Sequence, residues 1–187
     1  MFCVREDHSV AGGEPVNALV SVDLDGIDGG TVLVSGNDFY AAPRISADGT
    51  LLAWITWNHP NMPWDGTELW TGELAVDGTV SRPQRIAGGA KESVVEPRWS
   101  SDGALYFASD RTGWWNIYGW RGSGVECIKQ IDAEFSGPMW GLGQSTYAVE
   151  SPGRIVCAYT EDGDRRLAAL DVATGRIDSI DIPYVEL

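Results

Sequence analysis

The chain has little of several residue types on which particular functions depend. Among its 187 residues there are two lysines, two histidines and three cysteines, and the formal net charge is −14. A nucleic-acid surface needs clustered Lys and Arg, so this composition argues against nucleic acid as a partner. No apolar run approaches the length of a membrane span, which argues against a membrane partner.

Cysteine is too rare and too scattered to define a metal site. Cys3, Cys127 and Cys157 stand at apolar strand positions without metal-ligand spacing, so we predict buried thiols, with a disulfide as the alternative. The opening residues MFCVRE do not form a signal peptide, which together with the thiols indicates a reducing, cytoplasmic location. In DLDGIDGG, Ile27 takes the place of a calcium ligand, so we predict a glycine-rich hairpin turn and no metal or cofactor.

What the chain does contain is a repeated turn. PRISADGTLLAWITW begins at Pro43 and PRWSSDGALYFASDR begins at Pro97, with Pro, Arg, Ser, Asp and Gly in the same order before an apolar strand. A weaker copy is STYAVESPGRIVCAYTED. The turn glycines of the three copies are 54 and 50 residues apart, at Gly49, Gly103 and Gly153. Periods near fifty predict a repeat architecture.

Each repeat unit contains four short strands rich in β-branched and aromatic residues, bounded by Gly, Asp or Pro. Four-stranded units in series are the blades of a β-propeller. We therefore predict an all-β fold, a β-propeller fragment of about four blades that forms one unit over residues 1–187. Residues 1–37 form a blade that lacks its innermost strand, and complete blades span residues 38–89, 90–132 and 133–187.

The innermost strand that the first blade lacks affects how the protein can assemble. An incomplete arc leaves an unpaired sheet edge, so we expect a piece of a longer protein that is able to self-associate through open blade edges. The alternative is a small closed ring of four blades, in which residues 182–187 supply the missing strand.

The sequence contains no set of residues for nucleophilic catalysis. GQSTY has Tyr147 where a nucleophile elbow needs its second glycine. The only histidines are His8 and His59, and the serines that precede them lie outside any elbow motif. We therefore predict that this chain has no catalytic residue of its own.

Unusual loops carry the remaining functional signal. The segment NHPNMPWDGT, residues 58–67, joins two strands of its blade and is six residues longer than its counterpart in the next blade. In a propeller such loops and the connections between blades emerge on one face. We predict a substrate or domain interface there, made of His59, Asn61, Met62, Trp64, Asp65, Arg111, Trp114 and Trp115, with Phe39, Tyr40, Glu134 and Phe135 beside them.

Exposed aromatic rings next to an Arg and an Asp are typical of an interface. We expect Trp64 and Trp115 to be at least partly exposed. The alternative is that both rings fold back to cap the blade ends. Asp110 and Arg111 have a structural alternative as well, since such a pair can simply fasten a hairpin to its neighbour.

These strings resemble a known family. SADGTLLAWITW followed by ELWTGEL, and SSDGALYFASDRTGWWNIY, are similar to blades of the N-terminal propeller in the prolyl-oligopeptidase family of serine peptidases, especially its dipeptidyl- and acylaminoacyl-peptidase-like branch. The resemblance implies a parent protein with further blades and an α/β-hydrolase domain that bears Ser, Asp and His. It also implies that the propeller acts as a lid and size filter for peptide substrates. The glutamate pair with which some dipeptidyl peptidases hold a substrate amino terminus is not evident.

Two other functions stay open. TolB-like propellers share the S-x-D-G blade signature, so a protein-interaction scaffold without an enzyme domain is one alternative. A propeller that binds a small ligand or a sugar is the other, and it rests on the tryptophans of the predicted face.

Overall fold

The computed structural model describes residues 1–9, 12–25, 29–141 and 143–183. Within these ranges the regular elements are β-strands, and no helix there is long and apolar enough to cross a membrane. Part of the predicted glycine-rich hairpin, residues 26–28, lies outside the described residues.

The strands form four antiparallel sheets that follow one another along the chain. The first sheet contains β1 (Phe2–Asp7), β2 (Val16–Ser21) and β3 (Thr31–Ser35). The second contains β4 (Phe39–Ile45), β5 (Leu51–Trp57), β6 (Glu68–Leu74) and β7 (Val80–Gly88). The third contains β8 (Val94–Trp99), β9 (Leu105–Ser109), β10 (Asn116–Trp120) and β11 (Val125–Lys129). The fourth contains β12 (Tyr147–Ser151), β13 (Arg154–Glu161), β14 (Asp164–Asp171) and β15 (Ile177–Ser179).

In each sheet every strand pairs with the next strand of the chain, which is the order of a propeller blade. The first sheet has three strands among the described residues, and β1 lies at its edge. The prediction of an all-β propeller fragment of about four blades is confirmed, and so is the short first blade. Of the tail that would close a ring, Ile182 and Pro183 are not in a strand, and residues 184–187 lie outside the described part.

Most strands of the middle blades are covered on both faces, which explains why apolar residues run through them without alternation. β5 is buried at five of its seven positions, and β9 and β10 are buried throughout. Because successive side chains of a strand point to opposite faces, Trp54 packs toward the first sheet and Ile55 toward the third. The outermost strands β7 and β11 face solvent over much of their length.

Packing between consecutive sheets forms the core, and most of the aromatic rings come from the later sheet of each pair. The rings of the third sheet, Phe107, Tyr118 and Trp120, lie against a second-sheet surface made of Ala41, Ala53, Ile55 and Leu69. Full burial of a side chain of this size contributes about 1.5–3 kcal/mol relative to leaving it exposed. The stack of sheets is therefore the main source of stability.

Side chains fix the repeated turn between the first two strands of a blade. Ser46 donates from Oγ to Asp48 Oδ1 at 2.6 Å, and the same oxygen accepts the backbone N–H of Thr50 at 3.1 Å. Gly49 and Gly103 follow with φ angles of 76° and 85°, a left-handed conformation that glycine adopts at little cost. In the second copy Asp102 Oδ1 likewise accepts the N–H of Ala104, at 3.4 Å, while Ser100 Oγ has no partner among the described residues. The Asp and the Gly therefore have the same role in both copies.

The three cysteines are free thiols with different environments. Cys157 is buried, and burial raises its pKa to about 12, so it stays a neutral thiol. Cys127 is exposed and Cys3 is half-buried, so the prediction of a buried thiol is wrong at these two positions. Both lie on strands at the edge of their sheets, β11 and β1, where neighbouring chain covers less of the side chain.

Replacement of Trp54 tests the core between the first two sheets. Trp54→Ala should lower the free energy of unfolding by about 3–5 kcal/mol, because it deletes a buried ring. Val76→Ala, at a fully exposed turn position, should change it by less than about 0.5 kcal/mol. Urea denaturation at pH 7 measures both variants, and equal losses would contradict the assigned role of Trp54.

Acid should destabilise the fold through turn carboxylates. Hydrogen bonds from neighbouring Ser and Thr residues lower the pKa of Asp48, Asp77 and Asp171 below the ordinary value of 3.8. A lowered pKa in the folded state stabilises it above the unfolded pKa, and this contribution is lost as the pH falls through the folded pKa. The Tm should therefore fall below about pH 4.

The triple variant Asp48→Asn, Asp77→Asn, Asp171→Asn should lose less Tm between neutral and acid pH than the wild type. Asp23→Asn is the control, since Asp23 is exposed and accepts no hydrogen bond from the described residues. Thermal unfolding followed by circular dichroism measures the difference. An unchanged acid response of the triple variant would rule out these turns as its source.

Candidate functional site

One end of the blades gathers the longest loops, and we call it the loop face. It consists of the β5–β6 loop, the β9–β10 loop and the described parts of the three connections between blades, which are residues 58–67, 110–115, 36–38, 89–93, 130–141 and 143–146. Hydrogen bonds join the β5–β6 loop to the first two connections and the β9–β10 loop to the last two. The fold thus brings together segments that are far apart in sequence.

The long β5–β6 loop is anchored at both of its ends. Asn58 Oδ1 accepts the backbone N–H of Asp38 at 2.7 Å, and Asp38 Oδ2 accepts that of His59 at 2.8 Å. At the other end, Thr67 Oγ1 donates to the carbonyl of Val94 at 2.7 Å and accepts its N–H at 2.6 Å. These bonds hold the loop in a defined position on the face.

Close backbone contact explains two glycines at the base of this loop. A Cβ on Gly66 would lie 2.4 Å from the carbonyl oxygen of Gly89 and 2.6 Å from the carbonyl carbon of Ala90. Gly88 has a φ of 88°, and a Cβ there would lie 2.0 Å from the carbonyl oxygen of Thr67. Only glycine lets the loop and the connection approach this closely.

The predicted site residues of the β5–β6 loop have two kinds of environment. Asn61 Nδ2 donates to a carbonyl of the connection before β8 at 3.0 Å, and Asp65 Oδ2 accepts the N–H of Met62 at 2.9 Å. These two side chains therefore shape the loop. The His59 ring is exposed and packs edge-on against Phe39 at a centroid distance of 4.9 Å, while Met62 has 48% of its surface exposed.

Arg111 and Asp110 fasten the β9–β10 loop to the connection before β8. Arg111 donates to Glu92 Oε1 from Nη2 at 2.7 Å and from Nε at 3.0 Å, and its guanidinium lies 4.6 Å from the centre of the Tyr118 ring. Asp110 Oδ1 accepts the N–H of Ser93 at 2.8 Å. The carboxylate that pairs with Arg111 is thus Glu92. Burial raises the pKa of the Asp110 carboxyl.

Trp115 is buried, with only 8% of its surface exposed, so the expectation of an exposed ring is wrong. It packs against Val95, Ala108 and Met139. The reason is that Trp115 directly precedes β10 and continues its alternation, so the ring points to the same side as Ile117. The residue before it, Trp114, has the opposite orientation and is 38% exposed.

Two further aromatic residues expected on the face belong to the core. Tyr40 packs between the first two sheets, and Phe135 stacks on Tyr159 at 5.1 Å between the last two. Both residues are almost fully buried. Glu134 is half-buried, and its Oε2 accepts the N–H of Trp115 at 2.9 Å, so it joins two blades.

Trp140 is the most exposed aromatic residue of the loop face, and the sequence prediction omits it. Its side chain is 74% exposed and packs on Trp64, with ring centroids 4.4 Å apart and planes inclined at 40°. This packing leaves Trp64 half-buried, which agrees with the expectation that its ring is at least partly exposed. The signal for Trp140 was the string SGPMWGLG, in which Gly and Pro flank a Met-Trp pair in a connection between blades.

A cavity of about 390 Å³ opens beside Trp140 and is lined in part by Glu96, Glu134 and Arg165. Ser145 also lines it, and its hydroxyl donates to the Tyr147 carbonyl at 3.3 Å. In the described part of the chain, no group of three or more His, Cys, Asp or Glu side chains is placed to hold a metal ion.

Four blades in series, with their loops gathered at one end, define an arc of a β-propeller. Solved structures similar to it include peptidases. A puromycin-hydrolyzing peptidase from Mycobacterium tuberculosis has 39% sequence identity and a TM-score of 0.87, and the match covers 98% of this chain and 30% of that one. A puromycin hydrolase has 31% identity and a TM-score of 0.91, with coverage of 99% and 29%.

A third structure shows the fold alone. Prolyl oligopeptidase B from Galerina marginata has 10% identity and a TM-score of 0.72, with coverage of 97% of this chain and 25% of that one. No protein-family model matches, and neither does any curated protein. The chain is thus the propeller segment that the resemblance to the prolyl-oligopeptidase family predicts, and it spans less than a third of the puromycin-hydrolyzing peptidases that it matches.

Substitution of Gly66 tests the anchoring of the β5–β6 loop. Gly66→Ala should lower the Tm and alter tryptophan fluorescence, because the new Cβ collides with backbone atoms of Gly89 and Ala90. We expect a loss of about 1–3 kcal/mol in the free energy of unfolding. Gly137→Ala is the matched control, since a Cβ there meets no atom within 4 Å. Equal behaviour of the two variants would contradict the close contact.

Proposed function

We propose that this chain is the non-catalytic propeller part of a serine peptidase, and that its loop face meets an α/β-hydrolase domain and limits the access of peptides to the active site. The identity of 39% with a puromycin-hydrolyzing peptidase, over 98% of this chain, supports the peptidase assignment. That match leaves most of the relative's length outside the propeller segment, which is enough for a catalytic domain.

The observation that carries the proposal is the exposure of large apolar side chains on the loop face. The two tryptophans with the highest exposure, Trp114 and Trp140, both lie there, together with the exposed Met62. Exposed apolar surface of this kind marks interaction sites in proteins, and aromatic residues and Met are enriched in interfaces. A partner domain that covers this patch would remove it from water.

The anchoring of the loops fits a role in gating. A gate discriminates between substrates only if its rim holds a defined position. The β5–β6 loop is held through Thr67 and Asn58, and the β9–β10 loop through Arg111 and Glu92. Trp114 therefore lies on an anchored loop, and the Trp140 ring packs on Trp64 of the other anchored loop.

The activity of the relatives suggests a substrate with which the proposal can be tested. Because they are puromycin-hydrolyzing enzymes, we propose that the parent protein of this chain hydrolyses puromycin and short peptides. The gene sequence beyond the codon for Leu187 should encode a G-x-S-x-G motif between a strand and a helix. A stop codon there would favour the interaction-scaffold alternative.

In the full-length parent, Trp140→Ala should change kcat/KM for a long peptide by about tenfold and for puromycin much less, because a gate acts on access and positioning. Val76→Ala is the control, since Val76 is fully exposed in the β6–β7 turn, at the opposite end of its blade. Steady-state kinetics on both substrates measures the effect. Equal changes for the two substrates, or none for either, would contradict gating by this face.

A further inference from the structure

The Pro-Arg pair of the repeat recurs in the inner strands of two consecutive blades. Arg44 in β4 and Arg98 in β8 each stand five residues before the turn glycine of their repeat. In the third copy the corresponding residue is Ala148 in β12. The turn itself uses Ser, Asp and Gly, so it gives no reason for an arginine at this position.

A strained backbone precedes each of these arginines. Ala42 and Glu96 have φ angles of 49° and 54°, in the left-handed region that residues other than glycine adopt rarely. The pairing with the next strand shifts register at both places, which is the mark of a β-bulge. Bulges of this kind change the direction of a side chain and are enriched next to functional sites. The same distortion precedes both arginines, which indicates that the two side chains have a common function.

Both arginines line one open pocket of about 320 Å³ on the inner strands. The other lining residues are Ile45, Trp99, Ala148 and Val149, none of which carries a carboxylate. The small side chain of Ala148, at the place of a third arginine, contributes to the open space. The pocket therefore presents two guanidinium groups and no acidic side chain in its lining.

The Arg98 guanidinium lies 5.6 Å from the centre of the Tyr147 ring and donates no hydrogen bond to the described residues. Its Nε is buried and has no partner among the described residues. The carboxylate of Glu96 is 3.9 Å from Arg98 Nη2, beyond hydrogen-bond distance. The oxygens of Glu96 instead accept from the Ser136 hydroxyl and from the N–H and hydroxyl of Thr146, all at 2.8–2.9 Å. A buried donor without a partner is costly. The Arg98 side chain as a whole is 24% exposed, so an anion in the pocket can contact it.

Arg44 also has few hydrogen-bond partners. Among the described residues its guanidinium donates only to the carbonyl of Pro43, at 3.1 Å. Burial lowers its pKa, and the positive charge of Arg98 lowers it further. The Glu96 carboxylate raises the pKa of Arg44 and lies 3.9 Å from Arg98, so it neutralises the two arginines in part. Two cations that share one carboxylate keep a net positive charge, which attracts an anion.

We propose that Arg44 and Arg98 form an oxyanion-binding site on the inner strands of the second and third blades. A planar guanidinium presents paired N–H donors that match the oxygens of a carboxylate or a phosphate. The ligand is therefore a carboxylate group of a peptide or a free phosphate ion. The site lies within this chain and does not depend on the proposed peptidase function.

Isothermal titration calorimetry on this chain, at constant ionic strength, tests the site with three probes. These are acetyl-trialanine with a free carboxylate, the same peptide as its amide, and inorganic phosphate. We expect the free acid or phosphate to bind and the amide not to bind. Binding of the free acid alone identifies a peptide carboxylate as the ligand, and binding of phosphate alone identifies the free ion.

Arg98→Gln and Arg44→Gln should each weaken this binding by about tenfold or more, as expected when a charged hydrogen-bond partner is lost. Arg85→Gln is the matched control, because Arg85 is exposed on the outer strand β7 and already paired with Glu68 at 2.8 Å. It should bind like the wild type. Absence of binding to all three probes, equal binding of acid and amide, or an equal loss in Arg85→Gln would overturn the proposal.

A second measurement needs no variant and guards against misfolding. In wild-type protein labelled with ¹⁵N, the Nε–H signals of two arginines should shift when the anion that binds is added. The amide peptide should leave them in place. If titration with the anion shifts no arginine Nε–H signal, the proposed site is wrong, even if calorimetry detects heat.

Discussion

Face-to-face packing of consecutive sheets is the interaction on which the rest of this structure depends. The aromatic rings of one blade, such as Phe107 and Trp120, lie on a surface of small and aliphatic side chains in the blade before it. This arrangement buries both faces of the middle blades, and it leaves the strand ends as the places where polar chemistry is possible. Function in such a fold therefore lies in the loops and along the inner edges of the sheets, not on their packed faces.

Three glutamates tie the connections between blades to neighbouring strands and loops. Glu92 binds Arg111 and the Ser109 hydroxyl, Glu96 binds Ser136 and Thr146, and Glu134 binds the backbone N–H of Trp115. Each carboxylate ties a blade to a loop or connection that is distant in sequence. The chain has a net charge of −14. These three carboxylates differ from the solvent-exposed ones because their hydrogen-bond partners are other groups of the protein.

The loop face and the inner strands differ in how their polar groups are satisfied. On the loop face Arg111 has a carboxylate partner and lies on an aromatic ring, so its role in the isolated chain is structural. On the inner strands Arg98 also has a carboxylate, Glu96, at 3.9 Å and an aromatic ring, Tyr147, at 5.6 Å, but both are farther away than the partners of Arg111. Its buried Nε has no partner among the described residues, and it follows a strained residue. Structural arginines are neutralised by the fold that they support, whereas an arginine left open after a strained turn of the backbone is available to a ligand.

The repeated Ser-x-Asp-Gly turn and the runs of apolar residues after it were sufficient to predict the four blades, the strand order and the short first blade, because these features follow from local turn chemistry and strand patterning. The loops of the face were also foreseeable, from the length of residues 58–67. The burial of Trp115, the exposure of Trp140 and the pairing of Arg111 with Glu92 were not. Those outcomes depend on which neighbouring blade covers a side chain and on which distant connection comes within hydrogen-bond distance, and only the tertiary packing of one sheet on the next decides that.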